Sequence, residues 1–179
     1  MSEKFYVTFD GEWLGAFEGP APGSAIAVPV APLSASQRWS FDQARFLDPA
    51  PTTSDVDVER DRRITAGFIF EGVLYQSDKE ARENIMGAHK AASDAMMLFG
   101  AQAGNFAWRQ LLDPGGPEVF EWIASDNSRV PMDAPTVLRF GYAALAHKAS
   151  HIFAASDLKS MAPIPPDFAT NPVYWPAAS

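Results

Sequence analysis

Gly67-Phe68-Ile69-Phe70-Glu71-Gly72-Val73-Leu74-Tyr75-Gln76-Ser77-Asp78-Lys79-Glu80 changes its structural period part-way through. Two apolar runs flank Glu71-Gly72, the pattern of a β-hairpin. Ser77 to Glu80 then has the form of a capping box, in which the Ser77 hydroxyl accepts from the Glu80 N–H while Glu80 reaches back. Beyond it Ala81, Ile85, Ala88, Ala92, Ala95 and Phe99 recur at helical spacing, and Gly100 stops the run. A hairpin feeding straight into a long helix predicts an α+β fold. Alanines in the stripe let a second helix approach closely, and Met96 and Met97 add adaptable volume near its end.

Upstream, Ser54 is the expected cap of a helix that carries Asp55, Asp57 and Glu59 first and Arg60, Arg62 and Arg63 last, before Gly67. Acids first and bases last complement the helix dipole. Arg60-Asp61-Arg62-Arg63 reads either as an anionic-ligand patch or as a solvated face of local ion pairs, and the second reading is preferred. Asp48-Pro49-Ala50-Pro51-Thr52-Thr53 reads as a linker. Before it, Phe5–Phe9 and Glu12–Phe17 flank Asp10-Gly11, which predicts a hairpin with a type I′ turn. A third strand is expected at Ala25–Val28, after the turn-like Gly19-Pro20-Ala21-Pro22-Gly23. So small a sheet is marginal alone and is expected to lean on the body, another copy or a partner.

Downstream, Asn105–Arg109 is expected to be a short strand and Asp113–Pro117 an exposed turn. Val119–Ile123 and Arg129–Met132 bracket Ser125-Asp126-Asn127-Ser128 as another hairpin. Asp133, with Pro135 just inside, starts a last helix running to about Lys159. On its wheel Leu138, Tyr142, Leu145, Ala149, Ile152 and Phe153 share one side, while Phe140, Ala144, His147, His151 and Ala155 share the opposite one. A helix apolar on two faces is central or covered by a second surface. Phe140, Ala144, His147 and His151 are therefore the candidate interface. In the proline-rich end, Tyr174 and Trp175 suggest an extended arm that docks in a groove.

The chain has 179 residues, 22 acids against 14 bases, a net charge of −8 and no cysteine. That excludes thiol catalysis, cysteine-bound zinc and disulfides. A strongly acidic chain argues against nucleic-acid binding. No apolar run approaches the roughly 20 residues of a membrane span, and Met1-Ser2-Glu3-Lys4-Phe5-Tyr6 lacks the form of a signal peptide. His147 and His151 stand at a metal-capable spacing, but no Glu lies between them in the HExxH manner and packing is the preferred role. No nucleophile elbow, Walker A loop or dinucleotide fingerprint occurs. The expectation is a non-enzyme with no catalytic residues, cofactor or metal. The five tryptophans are spread along the chain as anchors, with a carbohydrate platform conceivable only where they are exposed.

The stretch from Val58-Glu59-Arg60-Asp61-Arg62-Arg63-Ile64-Thr65-Ala66-Gly67 onward resembles the DUF4376 family, a phage-associated domain of unknown function. The resemblance rests on an ordered series: the Glu59–Arg63 run, the aromatic hairpin Gly67–Tyr75, Gln76-Ser77 and the alanine-rich helix Ile85–Phe99. Phe120–Ala124, Val130-Pro131-Met132 and Ala146-His147-Lys148 complete it; Leu111–Pro117 departs from shorter members. The segment Tyr6–Phe17 looks like the leader that precedes this domain in phage proteins, and is loosely similar to leaders of tail-fibre assembly proteins. The expected organisation is a β-rich attachment module over 1–47, a linker over 48–54, an α+β domain of about three helices and two β-hairpins over 55–160, and an extended proline-rich tail over 161–179. The resemblance implies a non-enzymatic component of a tailed bacteriophage virion, at the tail tip, baseplate or tail fibre, made in the host cytoplasm. Its expected partners are other phage tail proteins and copies of itself, with a homotrimer suggested by tail symmetry. It is expected not to enter a membrane or bind nucleic acid. The alternatives are a tail-fibre assembly chaperone absent from the mature particle, or a protein that binds host surface glycan.

Overall fold

Lys4–Val7 (β1), Trp13–Phe17 (β2) and Ile26–Val28 (β3) form an antiparallel sheet in the order β2-β1-β3. Arg38–Ser40 (β4) pairs with Arg45–Leu47 (β5), a hairpin that the sequence reading did not include. These strands belong to the first of two compact units, Met1–Ala50 and Pro51–Ser179, in a computed structural model that describes residues 3–21 and 23–177. The readings made at Met1, Ser2 and Pro22, and the last two residues of the tail, Ala178 and Ser179, lie outside the described residues.

The first unit is built on alternation. Val7, Val28 and Trp39 are buried together, with Phe5, Trp13 and Phe46 packed against them. Trp39 meets Phe46 edge-on at 5.2 Å between ring centroids, and Phe46 meets Trp13 at 5.9 Å. The turn after β1 is longer than the expected type I′ turn: Val7 pairs with Trp13, and Gly11 takes φ +81° while Asp10 stays out of the left-handed region. The reason is a tertiary contact. The Trp39 N–H donates to the Gly11 carbonyl at 2.8 Å, and a Cβ on Gly11 would stand 2.2 Å from the Trp39 carbonyl oxygen.

In the second unit Thr53–Thr65 is α1, Phe68–Phe70 and Val73–Tyr75 are β6 and β7, and Lys79–Phe99 is α2. Glu121–Ile123 and Arg129–Pro131 are β8 and β9, and Ala134–Ser160 is α3. Three helices with small hairpins make the fold α+β, as the sequence predicts. The β6–β7 turn takes positive φ at both central residues, +82° at Gly72, which adopts it freely, and +49° at Glu71, where a side chain other than Gly, Asn or Asp is uncommon.

Two caps shift by a residue or two. The cap of α1 is Thr52, not Ser54: its hydroxyl accepts from the Asp55 N–H, and the Asp55 carboxylate accepts from the Thr52 N–H at 2.8 Å. The cap of α2 is Asp78, which accepts from the Ala81 N–H at 2.9 Å. Ser77, expected in that role, is fully buried and its Oγ has no hydrogen-bond partner. Asn105–Arg109 is not a strand but a turn entering a 3-10 helix at Trp108–Leu111. Trp108 anchors this segment in the core: it is fully buried and its Nε1 donates to the Met132 carbonyl at 3.0 Å.

Ile85, Ala88, Ala92 and Ala95 of α2 pack with Val137, Phe140 and Ala144 of α3, closed by Phe68 and Tyr75 from the β6–β7 hairpin. The expected stripe of α2 is therefore its core face, except that Phe99 at its end is exposed. Residues 161–177 are not an extended arm. They make turns and a 3-10 helix at Pro172–Tyr174, and they bury Ile164, Phe168 and Trp175 against Val56, Ala155 and Leu158 of α1 and α3. An apolar end finds its groove on its own chain, which removes it from water without a neighbour.

Candidate functional site

The longest element, α3, carries most of the residues singled out from the sequence. Asp133 starts it by accepting from the Thr136 N–H at 2.8 Å, and Pro135 in the first turn needs no N–H partner. Its two apolar sides are both present, but their roles are the reverse of those expected. Phe140, Ala144, His151 and Ala155 face inward and are buried, with His147 half-buried beside them. Phe140 is enclosed by Phe68 at 5.3 Å, Phe70 at 5.4 Å, Tyr75 at 4.7 Å and Trp122 at 5.2 Å between ring centroids. Phe140, Ala144 and His151 therefore serve the chain's own core and are not surface positions.

The histidines are held by backbone carbonyls. A carbonyl only accepts, so His147 Nε2 donates to the Ile64 carbonyl at 3.2 Å and His151 Nδ1 donates to the His147 carbonyl at 2.8 Å. His147 stacks on Phe68, and burial holds its pKa below the ordinary 6.5, against the opposing pull of the Ile64 carbonyl. The two rings lie 4.6 Å apart, and His151 stacks on Trp175 at 6.3 Å. His89 of α2 faces the Leu138 carbonyl at 3.1 Å, and a Cβ on Gly141 would stand 2.3 Å from its ring. Among the described residues no three His, Asp or Glu side chains converge as a metal site.

Tyr174 and Trp175 also belong to the chain itself. Trp175 is buried, its Nε1 donates to the Phe168 carbonyl at 2.7 Å, and the Arg63 guanidinium lies 4.7 Å over its ring. Tyr174 is half-buried against the same cluster. The Glu59–Arg63 run explains itself in the same place. Glu59, itself buried, accepts from Arg62 and Arg63 at 2.7 Å, and Arg63 donates onward to the Ala169 carbonyl at 2.9 Å. Its hydrogen bonds with Arg62 hold the Glu59 carboxyl below its ordinary range, and those with Lys159 do the same for Asp57. Arg60 pairs with Asp57 and Asp61. Arg63 thus joins α1 to the C-terminal residues and the Asp57–Lys159 pair joins it to α3, so local ion pairs account for the run.

What remains largely uncovered is the outer side of α3, where the Tyr142 ring meets His89 of α2 edge-on at 4.9 Å between ring centroids. Tyr142, Leu145, Ile152 and Phe153 are 59%, 57%, 42% and 70% exposed, and Met86 of α2, 59% exposed, stands beside Leu145 along the groove between the helices. Ala146 and Ala149 lie between them on the same stripe. The wheel alone found this stripe but could not say which of two apolar sides the hairpins would cover. The five tryptophans, in contrast, are all buried or half-buried, so none offers an exposed carbohydrate platform.

Compared with known families, residues 48–172 match the model described as Domain of unknown function (DUF4376). No curated protein and no solved structure matches the chain.

Proposed function

The chain belongs to the DUF4376 family, and from that premise we propose that it is a non-enzymatic structural component of a tailed-phage particle that works by protein contact. The observation that carries this reading is the exposed apolar stripe Tyr142, Leu145, Ile152 and Phe153 on a helix whose other side is fully used by the core. Scattered exposed apolar residues are ordinary, whereas a contiguous stripe on one helix marks a surface that another protein covers. His147, Arg63 and Asp57 support the same reading, since they are engaged in internal hydrogen bonds and an ion pair that hold α1, α3 and the C-terminal residues together. The first unit is the proposed attachment module; Phe9 and Leu33, 74% and 97% exposed, are its proposed contact residues.

Quantitative mass spectrometry of purified particles tests the proposal. A fixed copy number per particle is the expected result. Abundance in the lysate with absence from the particles would instead identify an assembly chaperone.

A further inference from the structure

The outer stripe of α3 has a pattern that bears on what covers it. Leu138, Tyr142, Leu145, Ala146, Ala149, Ile152 and Phe153 follow i, i+3, i+4 and i+7 spacing without a charged residue among them. From Tyr142 to Phe153 the stripe is also nearly the same read from either end: an aromatic at each end, a branched aliphatic inside each aromatic, and two alanines at the centre, with Leu138 lying outside this repeat. Reversed onto itself about a point near residue 148, it sets Tyr142 against Phe153, Leu145 against Ile152 and Ala146 against Ala149. A surface complementary to its own reverse is what an isologous two-fold interface requires.

The charges beside the stripe choose the same arrangement. Arg139 and Asp157 lie about five turns apart, so they stand on one flank of the stripe. In an antiparallel pair like flanks meet, and the reversal that aligns the aromatics brings Arg139 opposite the partner's Asp157, twice per pair. A parallel pairing would bring unlike flanks together and put Arg139 on the side of Lys148. Arg139 also pairs with Glu71 at 2.9 Å, more than half exposed, so it can bridge two acids. The opposing charges are Lys148, which meets its own copy near the axis, and Arg82, Lys79 and Arg60 in the grooves beside it; Lys148 is exposed at the margin of the stripe, where its ammonium can stay in water. With Met86, the stripe exposes on the order of 500 Å² of apolar surface, so two copies bury about 1,000 Å², the size at which specific interfaces begin.

We infer that the outer face of α3 is a homodimer interface, in which two copies pack antiparallel about a two-fold axis near Lys148, with Arg139 of each facing Asp157 of the other. This deepens the proposed protein-contact role of the same surface by naming the partner. The experiment below is made in solution, so it can fail while the particle measurement succeeds.

Light scattering after size exclusion, on the full chain at micromolar concentration, is expected to give twice the 19.5 kDa mass of one chain. Leu145→Asp and Phe153→Asp should each give a monomer with unchanged circular dichroism, because both side chains are exposed, and with a melting temperature that no longer rises with protein concentration. Arg139→Asp or Asp157→Arg should each weaken dimerisation about tenfold, each pair being made twice, and the double reversal should restore it. Since the chain has no cysteine, Arg139→Cys mixed with Asp157→Cys should form a mixed disulfide, while neither links to itself. A monomer at every concentration, a trimer, a dimer indifferent to Leu145→Asp and Phe153→Asp, or self-linked single cysteines would overturn the inference. The monomer would leave the stripe to a different protein.

Discussion

Ser77 and Asp78 stand next to each other at the head of α2 and carry opposite expectations. Asp78 makes the cap, so Asp78→Ala should cost about 1 kcal/mol. Ser77 is buried with an unpartnered hydroxyl, and Ser77→Ala should leave stability unchanged or raise it in denaturant unfolding. A loss of about 1 kcal/mol at Ser77 would restore the capping box read from the sequence. His147 makes a pH prediction. Burial depresses its pKa, so the unfolded chain binds more protons between the folded value and the ordinary 6.5. Stability is therefore fully kept above pH 6.5 and declines as the pH falls through that window. His147→Asn, which keeps a donor for the Ile64 carbonyl, should flatten the melting temperature between pH 7.5 and 5.5 in this respect. The spacing of His147 and His151 was legible in the sequence, but their acceptors were not, because Ile64 belongs to a different helix and is brought there only by the fold.

At the scale of elements, α3 carries two apolar faces with different consequences. Phe140→Ala opens a cavity among four aromatic rings and should destabilise the body by about 3–5 kcal/mol. Removal of an outer aromatic should alter association and lower the melting temperature only by the part that dimerisation contributes, abolishing its rise with protein concentration. The C-terminal residues behave as part of the core. Truncation after Met161 removes Ile164, Phe168 and Trp175 from α1 and α3, and should lower the melting temperature of the body even in a monomer. Glu59→Gln should cost about 1–2 kcal/mol by releasing Arg62 and Arg63. Because the Glu59 carboxyl is held below its ordinary 4.5, that contribution is fully present above this value and is lost as the pH falls through the folded one. Glu59→Gln should therefore reduce the acid sensitivity of the wild-type chain in a melting series. Helix starts and stops were readable to within two residues, since capping chemistry is local. The β4–β5 hairpin was missed although Arg38-Trp39-Ser40 and Arg45-Phe46-Leu47 alternate around a short turn, because strands of three residues are weak signals and the Trp39–Phe46 contact that pairs them shows only in the fold.

For the molecule as a whole, the second unit has its own core, built from α1, α2, α3 and the two hairpins between them. Pro51–Ser179 expressed alone should therefore unfold cooperatively, with a melting temperature close to that of the corresponding transition in the full chain. The α+β class, the order of the three helices and of the hairpins between them, and the family series from Glu59 to Lys148 were set by local pattern: capping residues, turn residues and the period of apolar positions act within a few residues of one another. The turn after β1, the fate of the C-terminal residues and the inward side of α3 were decided by tertiary structure. Gly11 bends to fit Trp39, which lies far along the chain. Trp175 is buried because Arg63 and Phe168 meet it. The side of α3 that carries Phe140 turned inward because the hairpins supply the aromatic rings that enclose it, and an amphipathic pattern read on one helix contains no record of what its neighbours bring.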